Sequence, residues 1–287
     1  METSILIAEM FLKEAKKDIK EKKIQIADFK LKKAISIFND LILKNHDRLI
    51  LSKLYINRAN AYNELINTNN FNYESNYFLD IKSSCAFGNE IAKKKYESEK
   101  FKKKFEKYKI TFLFDFNFTE NEIIDFSSMF IVDNYQNIDR VYISKNRNIK
   151  NEFDLNFHKT FDYENYSKTV LRLIHGLLIS DNFVCINKEN TKQILNKILK
   201  TEIIDEIFLD KRSKNIIDEI NKFKKSNTTL NTATDCYNHL FKKQLQEIKN
   251  SMVNTVLITE CYRFISYYNN YPSVLANNVK VKEIING

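Results

Sequence analysis

Glycine and proline are almost missing from this chain, at three and one in 287 residues. Glycine gives left-handed backbone at little steric cost, and proline pre-sets many tight turns. Average usage is roughly 7% Gly and about 5% Pro, so a chain of this length ordinarily holds far more of both. The glycines stand alone at Gly88, Gly176 and Gly287. Phosphate loops, dinucleotide-binding fingerprints and nucleophile elbows all need clustered glycines, so those enzyme classes are excluded. Collagen-like repeats, Gly/Ser linkers and Pro-rich recognition segments are excluded for the same reason. A turn-dense all-β sandwich is disfavoured. The deficit is compatible with helices joined by Asn-rich turns, such as residues 45–48 and 67–70, where Asn tolerates left-handed backbone.

A composition of 43% hydrophobic and 13% aromatic residues is that of a folded chain, long enough for one or two cores. The net charge of +9 invites a nucleic-acid reading, because Lys and Arg neutralise phosphates. Lys supplies nearly all of that charge, and the forked contacts of specific recognition favour Arg. The abundance of Lys, Ile and Asn fits codon bias in an AT-rich genome. Cys85, Cys185, Cys236 and Cys261 are widely spaced with no C-x-x-C, which predicts reduced thiols in a cytoplasmic compartment. No run approaches the ~18 apolar residues of a membrane span, and the start, Met1-Glu2-Thr3-Ser4, lacks a basic leader region. No membrane association and no cofactor are expected.

Apolar residues recur at helical spacing over residues 4–45 (Leu6, Met10, Phe11, Ala15, Ile19, then Ile24, Ala27, Leu31, Ala34, Phe38, Leu41). The Lys-rich stretch 16–23 divides them into two helices. Residues 49–66 repeat the stripe with Leu51, Leu54, Tyr55, Arg58, Ala59, Tyr62 and Leu65. Residues 72–86 give a fourth helix closed near Gly88, and residues 90–108 a single basic one. From about residue 109 the character changes. Strands are predicted at 109–116, 140–144, 183–187 and 254–259, where aromatic and β-branched residues gather. Helices are predicted at 119–134, 165–179, 189–200, 213–225 and 236–250, while 202–209 fits either element. The expected fold is helix-rich, α+β or α/β, with helical hairpins over 1–108 and a mixed α/β domain over 109–287.

Leu54-Tyr55-Ile56-Asn57-Arg58-Ala59-Asn60-Ala61-Tyr62 resembles the first helix of a tetratricopeptide repeat, with Ala59 and Tyr62 in its small and aromatic places. Residues 77–85 resemble the second helix, and Lys33-Ala34-Ile35-Ser36-Ile37-Phe38 that of a preceding repeat. The match covers about residues 4–108. The resemblance implies a protein-binding scaffold whose concave face is lined by first helices. It places partner contacts at Tyr55, Asn57, Arg58, Asn60 and Tyr62. One branch of the family clamps a partner's C-terminal carboxylate; Asn57 falls where that clamp keeps an Asn, with residues 93–95 as its basic contribution.

Four other constellations are candidates for chemistry. Val170-Leu171-Arg172-Leu173-Ile174-His175-Gly176 and Thr255-Val256-Leu257-Ile258-Thr259-Glu260-Cys261 resemble the strands that end in the catalytic His and Cys of caspase-like proteases. Such a dyad needs the imidazole within hydrogen-bond reach of the sulfur. The favoured reading of these residues is a helix histidine and a core cysteine. Cys236-Tyr237-Asn238-His239 has C-x-x-H spacing, with Cys261 or His158 as further ligands, but zinc wants about four, and no metal site is expected. Asp115, Asp125 and Asp133 fall near the end of the first strand, without a spacing that separates them from solvated carboxylates. The basic stretch around Lys102, Lys103 and Lys104, interleaved with Tyr96, Phe101 and Phe105, could grip a phosphate backbone or an acidic partner. The leading expectation is a non-catalytic adaptor that binds another protein. A cysteine hydrolase using His175 and Cys261 and a nucleic-acid-binding accessory factor are the alternatives.

Overall fold

The structure, a computed structural model, describes residues 2–45, 47–118, 123–132, 136–144, 160–162, 166–199, 213–247 and 251–270. The chain divides into two compact units, Met1–Tyr108 and Lys109–Gly287. It is a helix-rich α+β protein. No helix among the described residues is long and apolar enough to cross a membrane.

The first unit is built from helices α1 (Glu2–Lys20), α2 (Ile24–Lys44), α3 (Arg48–Asn67), α4 (Glu74–Ala86), α5 (Glu90–Glu97) and α6 (Glu99–Phe105). The turns use the substitutes that a glycine-poor chain has available. Lys22 at φ 63° ends α1, Asn69 at φ 68° follows α3, and Gly88 at φ 88° closes α4. Asp47 caps α3 by accepting from the amides of Leu49 (2.8 Å) and Ile50 (3.0 Å). The basic segment expected as one helix is two. Ser98 takes extended backbone (φ −65°, ψ 139°), and its hydroxyl accepts from the Phe101 amide to start α6. That break lets Phe101 and Phe105 pack on Tyr77 and Phe78 of α4.

Arg58 on α3 is only 6% exposed and joins three helices. Its Nε and Nη2 donate to the two carboxylate oxygens of Asp80 on α4, at 2.8 and 2.6 Å, and Nη1 donates to Asn39 Oδ1 on α2 at 2.6 Å. The guanidinium also lies over the rings of Tyr55 and Tyr62, at 5.3 and 5.9 Å. A buried charge is tolerable only when paired and hydrogen-bonded, and here both conditions are met. Tyr55, Arg58 and Tyr62 are therefore interior residues. The expectation that they contact a partner is corrected.

The second unit carries a six-stranded sheet of order β4-β3-β2-β1-β5-β6. Its strands are β1 (Ile110–Phe118), β2 (Ile123–Val132), β3 (Gln136–Ser144), β4 (Thr160–Asp162), β5 (Asn182–Cys185) and β6 (Ser213–Asn215). β1, β2 and β3 form an antiparallel meander, β4 pairs parallel to β3, and β5 and β6 extend the other side in parallel from β1. The helices are α7 (Tyr166–Ile179), α8 (Lys188–Leu199), α9 (Ile216–Lys224), α10 (Ala233–Phe241) and α11 (Ser251–Asn270).

Several expectations for this unit are overturned. The helix expected over 119–134 is strand β2 across 123–132. Phe126 and Phe130 are buried on one face and Met129 and Ile131 on the other, which erases the period-two alternation that would have revealed it. The strand expected at 254–259 lies inside helix α11. Val253, Leu257, Ile258, Cys261, Tyr262 and Ile265 form one buried helical stripe there, and Thr259 satisfies its hydroxyl on the Thr255 carbonyl at 2.6 Å. The helix expected at 213–225 begins as β6 before α9, and the one at 236–250 is the shorter, earlier α10. Residues 202–209 lie outside the described residues.

Removing one partner of a buried ion pair leaves the other charge desolvated. Asp80→Ala is expected to lower the unfolding free energy of the first unit by about 3–5 kcal/mol. Urea denaturation of the full chain, followed by circular dichroism at helical wavelengths, measures it; a loss of under about 1 kcal/mol contradicts the assignment.

Candidate functional site: the solvent face of the first helices

Helix α3 has two faces. Leu51, Leu54, Tyr55, Arg58, Ala59, Tyr62 and Leu65 are buried, while Lys53, Asn57, Asn60 and Glu64 keep exposure on the other side. Those four stand at i, i+4, i+7 and i+11, one continuous helical stripe. Two polar contacts tie it to α1. Asn57 Nδ2 donates to Glu9 Oε1 at 2.8 Å, and Lys16 Nζ sits 3.6 Å from Glu64 Oε1. On the α5 side, Lys95 lies over the Tyr77 ring at 5.0 Å. Burial holds the Lys95 ammonium below its ordinary value, and the Glu64 charge pulls the other way. A polar band thus runs across α1, α3 and α5, with Glu64 between two lysines.

Of the five residues expected to meet a partner, Asn57 and Asn60 lie on this band; Tyr55, Arg58 and Tyr62 do not. Leu51, Tyr55, Arg58, Tyr62 and Leu65 share one helical phase, which is the sequence signal that separates the groups. Lys102 and Lys103 are exposed on α6. Lys104 is exposed too, and is paired with Glu74 at 2.7 Å.

His175 and Cys261 lie on opposite faces of the sheet. Alternation along β1 and β2 puts Phe112, Ser128 and Phe130 on one face and Thr111, Asp115, Ser127 and Met129 on the other. Helix α7 covers the first. The His175 ring stands edge-on to Phe130 at 6.0 Å, Arg172 Nε donates to Ser128 Oγ at 3.3 Å, and Phe112 lies against Gly176. Gly176 is thus a helix-interior glycine that leaves room for a ring, and a Cβ there would strike it. Helix α11 covers the second face. Tyr262 hydroxyl meets Thr111 Oγ1 at 3.3 Å, Thr255 Oγ1 donates to the Ser127 carbonyl at 3.4 Å, and Thr259 Oγ1 reaches Met129 Sδ at 3.7 Å. Cys261 is fully buried in the α11-side core with Leu113, Ile131 and Cys236. His175 is a helix histidine and Cys261 a core cysteine, and the alternative of a catalytic dyad fails because the sheet separates base from thiol.

The thiols are also the wrong acids for nucleophilic work. Burial pushes Cys185 and Cys236 up to about 12 and Cys261 well above its ordinary value, and the partly exposed Cys85 is raised by burial as well. All four are unpaired. In the C-x-x-H pattern, Cys236 is a core residue and His239 Nε2 lies 3.4 Å from Ser226 Oγ, while His158 is outside the described residues. Among the described residues no three His, Cys, Asp or Glu side chains converge on a possible metal.

The carboxylates part company. Asp125 is buried and accepts from Asn117 Nδ2 at 2.9 Å through both oxygens and from the Ser251 amide at 3.2 Å, which fixes the start of α11. Asp133 lies outside the described residues. Asp115 opens on a cleft described below. Comparison with family models, curated proteins and solved structures finds no match for this chain.

A protonated, enclosed thiol reacts slowly with disulfide reagents. At pH 8 in the folded protein, dithionitrobenzoate is expected to label Cys85 first, and Cys185, Cys236 and Cys261 only as the chain unfolds. Fast labelling of Cys261 in the folded state, read by peptide mass spectrometry, contradicts that order.

Proposed function

We propose that the protein is a non-catalytic adaptor that uses a tetratricopeptide-like helical region to hold a segment of another protein. The observation that carries this reading is the stripe Lys53, Asn57, Asn60 and Glu64, exposed at Lys53 and half-buried along the rest, set between α1 and α5 while the opposite face of α3 is consumed by the Arg58 network. Asparagine side chains supply both a donor and an acceptor, the equipment needed to read a peptide backbone. Flanking lysines favour an acidic segment. Four unpaired thiols support a reducing, cytoplasm-like compartment.

A second reading follows from the exposed Lys93, Lys94, Lys100, Lys102, Lys103 and Lys107 of α5, α6 and the turn beyond, which could hold a phosphate backbone or an acidic protein surface.

Site-specific photo-crosslinking in the full chain separates the two. A benzophenone side chain at position 60 is expected to capture a polypeptide partner, and one at the exposed Ser36 of α2 is not. Asn57→Ala is expected to reduce capture from position 60 several-fold. Equal capture from both positions, or capture of nucleic acid alone from a probe at Lys103, overturns the adaptor reading.

A further inference from the structure

Strand β1 outruns its neighbour. The parallel ladder with β5 ends at Leu113↔Val184, yet β1 continues to Phe118, while the chain leaves β5 at Cys185 and enters α8 at Lys188. The space left beside the free end of β1 is a cleft of about 110 Å³, lined by Asp115, Phe116, Asn187, Thr191, Ile194 and Asn231 among others. It sits at the carboxyl ends of parallel strands, where α/β sheets collect ligands. Sites for drug-sized ligands run to roughly 300–1,000 Å³, so this cleft accepts only a small group or the tip of a side chain.

Among the described residues that line it, Asp115 is the acidic one. Asn254 Nδ2 on α11 donates to Asp115 Oδ2 at 2.8 Å. Burial pushes the carboxyl up to about 7, against the pull of Asn254 and the Phe116 amide. Of the titratable groups around it, the Asp125 carboxylate from β2 repels its charge and the Cys185 thiol from β5 is neutral, while the ammonium of Lys188 at the start of α8 acts on Cys185. Among the described residues no ammonium or guanidinium acts on it.

We propose that this cleft binds an organic cation, an alkylammonium or guanidinium group, with Asp115 as its counter-charge. A desolvated carboxylate with no cation gains from any positive group that can replace water beside it. The side-chain oxygen of Asn231 accepts a remaining N–H group, and Phe116 and Ile194 take the carbon stem. An anion is refused by Asp115. A divalent metal wants more charged oxygens than the wall supplies. The cation comes either as a free small amine or as a Lys or Arg side chain of a polypeptide, and the chemistry of recognition is shared.

Isothermal titration calorimetry of the full chain with agmatine and with acetyl-arginine methylamide tests this, with butylurea as the uncharged control. Agmatine is expected to bind at pH 8 and to weaken about tenfold per pH unit below 7, because Asp115 must first lose its proton. Asp115→Asn is expected to cut affinity at least about tenfold, and Asn231→Asp, which adds a second carboxylate to the wall, to raise it. Binding of the acetylated arginine but not of agmatine places the cation on a polypeptide; binding of both supports a free amine as well. Equal binding of butylurea, undiminished affinity in Asp115→Asn, or no heat with either cation at millimolar concentration overturns the proposal.

Discussion

The β1–β2 pair is apolar on both faces, and both faces must therefore be covered. Phe112, Phe126 and Phe130 turn one way, Leu113, Met129 and Ile131 the other, and all are buried. Each such side chain is worth about 1.5–3 kcal/mol in water excluded, so neither face can be left to solvent. Helix α7 closes one side and α11 the other. The consequences reach the chemistry. A histidine on α7 and a cysteine on α11 are held apart by the sheet itself. A carboxylate on the α11 face, Asp115, is desolvated by the same covering that buries its neighbours.

The helical unit solves a related problem with polar groups. Its α3 must pack against α2 and α4 while keeping a face for solvent. Arg58 spends all its directions inside, on Asp80, Asn39 and two tyrosine rings, so the packing face is closed to partners. A bidentate guanidinium–carboxylate pair fixes orientation as well as distance, which an apolar contact cannot do. The opposite face is left with Lys53, Asn57, Asn60 and Glu64, of which Asn57 and Glu64 each make one polar contact to α1.

Helices α1 to α4 were legible because each buries one stripe, and one stripe leaves a period in the sequence. Arg58 was visible in that stripe too, although its residue type pointed outward; phase was the better guide than polarity. Strand β2 was hidden because burial on both faces removes alternation. Helix α11 was hidden because its β-branched run, Thr255-Val256-Leu257-Ile258-Thr259, dominates a short window, and only the full span of 251–270 shows the stripe. The break at Ser98 carried a readable cap signal within a lysine-rich segment. Asp115 had one signal as well, a carboxylate set among Phe112, Phe114 and Phe116 in a strand. What no spacing encodes is that β5 stops short, and the cleft exists only because it does.

The claim on which the second unit's chemistry turns is that covering the sheet on both sides desolvates Asp115. Carbon-detected NMR titration of the Asp115 side-chain carboxyl in the full chain measures this directly. The account predicts a midpoint near pH 7, from burial that outweighs the Asn254 and Phe116 hydrogen bonds. A midpoint near the ordinary aspartate value of about 4 contradicts it.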